Sequence, residues 1–120
     1  MEKKKEASEL YYQTMTHIKK TKCKLTNVIK YINETKINLG LDINEHLKKL
    51  IKLWNNNSNA DTEYYVNMKE HHSYINGKIE NEILNKLWMD YIVYSSELRV
   101  KLMKLNHLCS ELQENKKKSD

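Results

Sequence analysis

Residues 84–112 read LNKLWMDYIVYSSELRVKLMKLNHLCSEL, and this stretch decides the fold class. Its apolar side chains recur in alternating steps of four and three residues, a spacing that places them along one side of an α-helix. The stripe consists of Leu84, Trp88, Tyr91, Ser95, Leu98, Leu102, Leu105, Cys109 and Leu112. It predicts a helix of about eight turns, roughly 45–50 Å long. A helix of that length in so small a protein must run the length of a helical bundle.

Three segments before this stretch have the same periodicity. The first covers residues 8–33, and the second begins at a cap predicted at Asp42 and ends in the amide-rich run 55–59. The third is predicted to be capped by Asp61 and to end at Asn76-Gly77, with glycine in its usual place past a helix end. The sequence therefore predicts an all-α bundle of three to four helices with a long C-terminal helix.

Length and composition limit the function classes. The chain has 120 residues, two glycines and no proline, which excludes collagen-like, proline-rich and linker classes and leaves no glycine-rich phosphate loop. We expect one bundle over residues 8–113, with charged, disordered tails at 1–7 and 114–120. Cys23 and Cys109 are predicted to be buried thiols.

No chemistry is predicted from the histidines or carboxylates. The one histidine pair, His71 and His72, is adjacent in sequence, so the two rings point about 100° apart on a helix and cannot easily share a metal. No arrangement of nucleophile, base and orienting group is evident. We therefore predict no catalytic residues, no metal and no cofactor, and a protein that is not an enzyme.

Charge is concentrated in the first third of the chain. Residues 1–36 contain nine lysines and four acidic residues, a net +5 that equals the charge of the whole chain. If Ile18 marks the core direction, Lys20 and Lys24 point away from the core while Lys19 and Lys30 flank it. This predicted basic face is either a docking surface for an acidic partner or a solvated surface enriched in lysine by AT-rich codons.

Four positions carry a family resemblance. Trp54 is followed after ten residues by Tyr65-Val-Asn-Met68, and a later helix contains Trp88. This order resembles the PHIST domain (Plasmodium helical interspersed subtelomeric), also called the RESA N-terminal or PRESAN domain. The upstream pairs Leu25-Thr26 and Leu39-Gly40 are similar to that family's leading helix and its break. By the resemblance, Trp54, Tyr65, Met68 and Trp88 are core residues, a structural signature.

The resemblance implies a parasite protein exported to the cytoplasm or membrane skeleton of the host red cell. It implies an interaction domain that binds the acidic cytoplasmic segment of a surface adhesin or a membrane-skeleton protein. We expect no signal peptide or export motif within these residues, whose sole arginine reads Arg99-Val-Lys-Leu102. We expect no membrane span, a monomer or weak dimer, and no nucleic-acid partner, because arginine is what reads base edges.

Two other interpretations remain open at this stage. One is a structural coiled-coil protein that self-associates through the long C-terminal helix. The other is a lysine-rich binder of nucleic acids or lipid surfaces.

Overall fold

The computed structural model describes residues 2–56 and 62–118, and the side chains of 2–56 and 65–113. Four helices account for most of these residues: α1 (Glu2–Thr35), α2 (Leu41–Asn56), α3 (Thr62–Ile75) and α4 (Glu82–Lys118). The described residues contain no strand. The prediction of an all-α bundle with a long C-terminal helix is confirmed.

The ends of the bundle differ from the prediction. α1 begins at Glu2, six residues before the predicted start, and α4 continues to Lys118, so residues 2–7 and 114–118 are helical and not disordered tails. Glutamate, lysine and alanine are good helix formers, and Glu2 has a favourable place in the first turn. Ala7 is buried, which ties this segment to the bundle. The prediction of a disordered tail rested on the charged residues and did not take the burial of Ala7 into account.

The two long helices, α1 and α4, lie antiparallel along a molecule of 60 × 22 × 20 Å. At one end the Lys3 ammonium lies 3.3 Å from the Glu111 carboxylate, and farther along His17 contacts Tyr94. Buried positions repeat every seven residues in both helices, which is the seam of a coiled coil. In α1 they include Ala7, Thr14, Ile18, Thr21, Leu25 and Val28, and in α4 Leu84, Trp88, Tyr91, Leu98, Leu102 and Leu105.

Both thiols are exposed, so the prediction that they are buried is wrong. Cys23 lies two residues after buried Thr21, about 160° further round α1 if each residue turns the helix by about 100°. It therefore points away from α4. Cys109 continues the apolar stripe of α4 in sequence, but it lies near the end of the α1–α4 pair, where that stripe has less cover.

The helix starts are set by residues other than those predicted. The Gly40 carbonyl accepts the first hydrogen bond of α2 from the Asn44 N–H at 3.2 Å, so Gly40 is the N-cap and Asp42 lies in the first turn. At the start of α4 the Asn81 side chain accepts from the Leu84 N–H at 2.9 Å. The cap predicted at Asp61 lies outside the described residues. Gly77 follows α3 with φ of 81°, as predicted.

A polar contact at the centre of the core joins three helices. The Trp54 Nε1–H of α2 donates to the Tyr91 hydroxyl of α4 at 2.9 Å, and that hydroxyl lies 2.5 Å from Nε2 of His72 in α3. An indole nitrogen only donates, so the Tyr91 hydroxyl accepts from Trp54 while it also hydrogen-bonds to His72. Trp88 packs on the Tyr91 ring with 5.2 Å between centroids.

All four residues of the structural signature are buried. Trp54 is 2% exposed, Tyr65 8%, and Met68 and Trp88 are fully enclosed. The Trp54 and Tyr65 rings meet edge to face at 5.5 Å. The Trp88 Nε1–H donates to the Asn76 side-chain oxygen at 2.7 Å, so both indole N–H groups have partners.

The core role of Trp88 is tested by two substitutions. Trp88→Ala is expected to lower the free energy of unfolding by about 3–5 kcal/mol, as truncation of large buried aromatic residues does. Trp88→Phe keeps an aromatic ring but loses the hydrogen bond to Asn76 and part of the buried surface, and should cost less than Trp88→Ala. Urea denaturation measures both values.

The matched control is Tyr12→Ala, because Tyr12 is an aromatic residue that is 70% exposed. It should change stability by about 0.5 kcal/mol or less. A Trp88→Ala variant as stable as this control would contradict the core assignment.

Candidate functional site

The four predicted partner-binding lysines do not share one face. Lys24 points along the flank of α1 beside α4, with its Nζ atom 5.0 Å from the centre of the Tyr94 ring. Lys20 lines the same flank. Lys19 and Lys30 each lie two residues from a buried position, about 160° round the helix, so they face away from α4. Lys30 also approaches Glu34, at 4.0 Å.

This placement corrects the predicted geometry, in which Lys20 and Lys24 were opposite the core. The error came from taking Ile18 alone as the core direction. The side of α1 that packs against α4 also includes Thr14, His17 and Thr21, which are buried although polar. Two of them satisfy their own hydroxyls: Thr14 and Thr21 donate to the carbonyls four residues earlier at 2.6 and 2.8 Å. Such residues can therefore line a helix interface.

Lys20 and Lys24 border a depression that we call the hairpin groove. It has a volume of about 480 Å³, and the residues that matter for its chemistry are Tyr12, His17 and Lys20 of α1 and Tyr94, Glu97 and Lys101 of α4. With Lys24 at its edge, the groove presents three ammonium groups and one carboxylate. Tyr12 and Tyr94 add aromatic surface between these charges.

His17 fixes the centre of the hairpin groove. Its Nε2–H donates to the Tyr94 carbonyl at 2.8 Å, and its Nδ1 atom accepts from the Lys101 ammonium at 2.9 Å. Burial lowers the pKa of His17, and the positive charge of Lys101 lowers it further against the opposing effect of the Tyr94 carbonyl. The neutral ring therefore joins α1 to α4 and holds Lys101 in the groove.

A second pair of histidines was not predicted. The Nδ1 atoms of His46 in α2 and His71 in α3 lie 2.8 Å apart, and the His46 ring stacks on Tyr74. Burial lowers the pKa of His71, and the nearby His46 lowers it further. One ring must supply the proton and the other a lone pair, so the contact requires at least one neutral ring. The two residues are 25 positions apart, so no local spacing could reveal them.

The histidines do not form a metal centre in the part of the chain that the structure describes. No group of three or more His, Cys, Asp or Glu side chains there is placed to share an ion. Among the same residues, no helix is long and apolar enough to cross a membrane. The chain matches no protein-family model, no curated protein and no solved structure.

His72 makes stability depend on pH. Burial lowers its pKa to about 4 from the ordinary 6.5, with a further lowering from His71. Between these values the unfolded chain binds the proton and the folded chain does not, so stability falls as pH falls from about 6.5 to 4. The pKa difference corresponds to a loss of about 3 kcal/mol.

The measurement is urea denaturation of wild type and His72→Gln at pH 7 and pH 4. Glutamine can still hydrogen-bond to the Tyr91 hydroxyl but does not titrate, so the variant should lose about 3 kcal/mol less than wild type over this range. The other histidines are present in both proteins, and their effects cancel in the comparison. Equal losses would show that His72 does not titrate in this way.

Proposed function

We propose that the chain is a non-enzymatic interaction domain that binds an acidic segment of a partner protein in the hairpin groove. The supporting observation is the charge of that groove, where Lys20, Lys24 and Lys101 are opposed by Glu97 alone. The described side chains form no ion pair with any of these three lysines. Their charges can therefore pair with a ligand, and they lie along one flank of the α1–α4 pair.

The aromatic side chains of the hairpin groove indicate which kind of acidic segment it would bind. Tyr12 is largely exposed, and the Tyr94 ring makes a cation–π contact with the Lys24 ammonium group. A peptide with carboxylates and a few apolar side chains could pair with the lysines and cover these rings. A lysine-lined site needs point charges only, whereas nucleic-acid recognition relies on arginine.

The resemblance to PHIST domains extends the proposal to a partner and a place. On that basis the acidic segment belongs to the cytoplasmic part of a surface adhesin or to a membrane-skeleton protein, and the chain acts in the host red cell. The burial of Trp54, Tyr65, Met68 and Trp88 agrees with a structural role for the resembling positions.

Two double variants test the groove. Lys20→Glu/Lys24→Glu and Lys19→Glu/Lys30→Glu each change the net charge from +5 to +1. Because the second pair points away from α4, only the first should weaken binding of a polyglutamate peptide strongly, by about tenfold or more. Titration calorimetry at two salt concentrations measures this, and binding should weaken with salt because exposed charges are screened beyond about 8–10 Å.

The second variant is the matched control, expected to change the affinity by about threefold or less through long-range charge alone. An equal loss of affinity in both variants would mean that binding depends on net charge and not on the hairpin groove. An oligonucleotide of equal charge that binds as tightly as the peptide would make the groove a general polyanion site.

A second candidate function is self-association through α4. The outer face of this helix has an exposed apolar stripe at heptad spacing, formed by Met89, Val93, Val100 and Met103, which are 46–63% exposed. A second stripe of this kind is what a coiled-coil partner requires. Its centre is Ser96, a polar residue, which weakens the seam.

Light scattering at micromolar concentration separates the two candidates. We expect the mass of one chain, or a weak dimer that dissociates on dilution. If a stable dimer forms, Val100→Glu should abolish it, because a charge would face the partner helix. A stable dimer of that kind would favour the structural coiled-coil protein over the interaction domain.

A further inference from the structure

A separate cleft lies between α3 and α4, away from the hairpin groove. It has a volume of about 190 Å³, and Lys69 of α3 and Arg99 of α4 supply its charges. No carboxylate lines it. Neither cation forms an ion pair with any side chain that the structure describes. The cleft is therefore positively charged on both walls.

Two side chains that line the cleft are already hydrogen-bonded to core residues. Asn76 accepts the Trp88 N–H through its side-chain oxygen, so its other terminal atom is the NH₂ group, which only donates. His72 is hydrogen-bonded to the Tyr91 hydroxyl through Nε2, so Nδ1 is the ring nitrogen that this bond leaves unused. Both residues line the cleft. The hydrogen bond from Trp88 thus sets which group Asn76 offers to a ligand, namely its NH₂ donor.

Three serines also line the cleft, Ser73, Ser95 and Ser96, together with Tyr65 and Ile92. Helical hydroxyls often donate to the carbonyl four residues earlier. Thr14, Thr16, Thr21, Thr26 and Thr35 all do so in α1. None of the three serines makes such a bond within the described residues, so their hydroxyls are available to a ligand.

Arg99 is the sole arginine in a chain with 20 lysines. Its guanidinium group has a planar pair of N–H donors that matches two oxygens of one phosphoryl group, which an ammonium group cannot do. A phosphoryl dianion has three terminal oxygens, enough to accept from Arg99, Lys69 and the serine hydroxyls together. We infer that the cleft binds a phosphoryl group, from free phosphate or from a small phosphate monoester.

The test titrates the full chain with inorganic phosphate at constant ionic strength and follows the backbone amides by NMR. The amides of Ser73 and Ser96 should shift together and saturate, with a dissociation constant of about 1–10 mM, because the cleft is open to water. Arg99→Gln should weaken binding about tenfold or more, since it removes the paired donors. Lys69→Gln should weaken it several-fold.

Lys104→Gln is the matched control, since it removes one exposed positive charge from α4 outside the cleft. It should change the affinity by about twofold or less. Repeating the titration with O-phosphoserine identifies the source: tighter binding than phosphate indicates a monoester ligand, and weaker binding indicates free phosphate.

Three outcomes would overturn the inference. The first is no saturable shift at the cleft amides. The second is Arg99→Gln binding phosphate as wild type does. The third is Lys104→Gln weakening binding as much as Arg99→Gln, which would mean general charge attraction. Arg99 is exposed, so its replacement should leave the melting temperature unchanged and the comparison valid. The peptide test of the hairpin groove uses other residues, so the two proposals can fail separately.

Discussion

The arrangement of α2, α3 and α4 depends on the hydrogen bonds made by the Tyr91 hydroxyl. It accepts the Trp54 N–H and hydrogen-bonds to His72, and so links one residue from each helix inside an otherwise apolar core. Burial raises the pKa of Tyr91, which keeps the hydroxyl protonated and able to donate. An apolar core fixes volume but tolerates sliding, whereas this contact is satisfied in one register only.

This contact also connects the core to the surface. Its partner His72 lines the cleft beside Arg99, and so does Asn76, whose side-chain oxygen accepts the neighbouring Trp88 N–H. In the α1–α4 pair the equivalent role belongs to His17, which orients Lys101 at the hairpin groove. Buried His17 is hydrogen-bonded to Lys101, and half-buried His72 lines the same cleft as Lys69 and Arg99. In both places a histidine that joins two helices also borders a cationic surface.

The sequence predicts the helices better than it predicts the sites. The heptad repeat of α4 depends only on residues close in sequence and continues over residues 84–112, and it indicates the fold class correctly. The pairing of His46 with His71 depends on how α2 meets α3, which no local spacing encodes. Lys20 and Lys24 were assigned to the wrong side of α1 because polar residues such as His17 and Thr21 share its buried stripe. Their burial is decided by the partner helix.

At the end of the molecule marked by the Lys3–Glu111 ion pair, only α1 and α4 of the described helices pack together, and this affects local stability. α2 and α3 reach α4 around Trp88 and Tyr91, whereas near Leu105 the seam consists of α1 and α4. Opening that end releases a few leucines and Ala7, but leaves the Tyr91 contact intact. Amide protons should therefore exchange with solvent in a gradient along the rod, fastest at the paired chain ends and slowest around Tyr91. The region around Tyr91 should therefore be the most stable part of the molecule, and the paired ends of α1 and α4 should open locally.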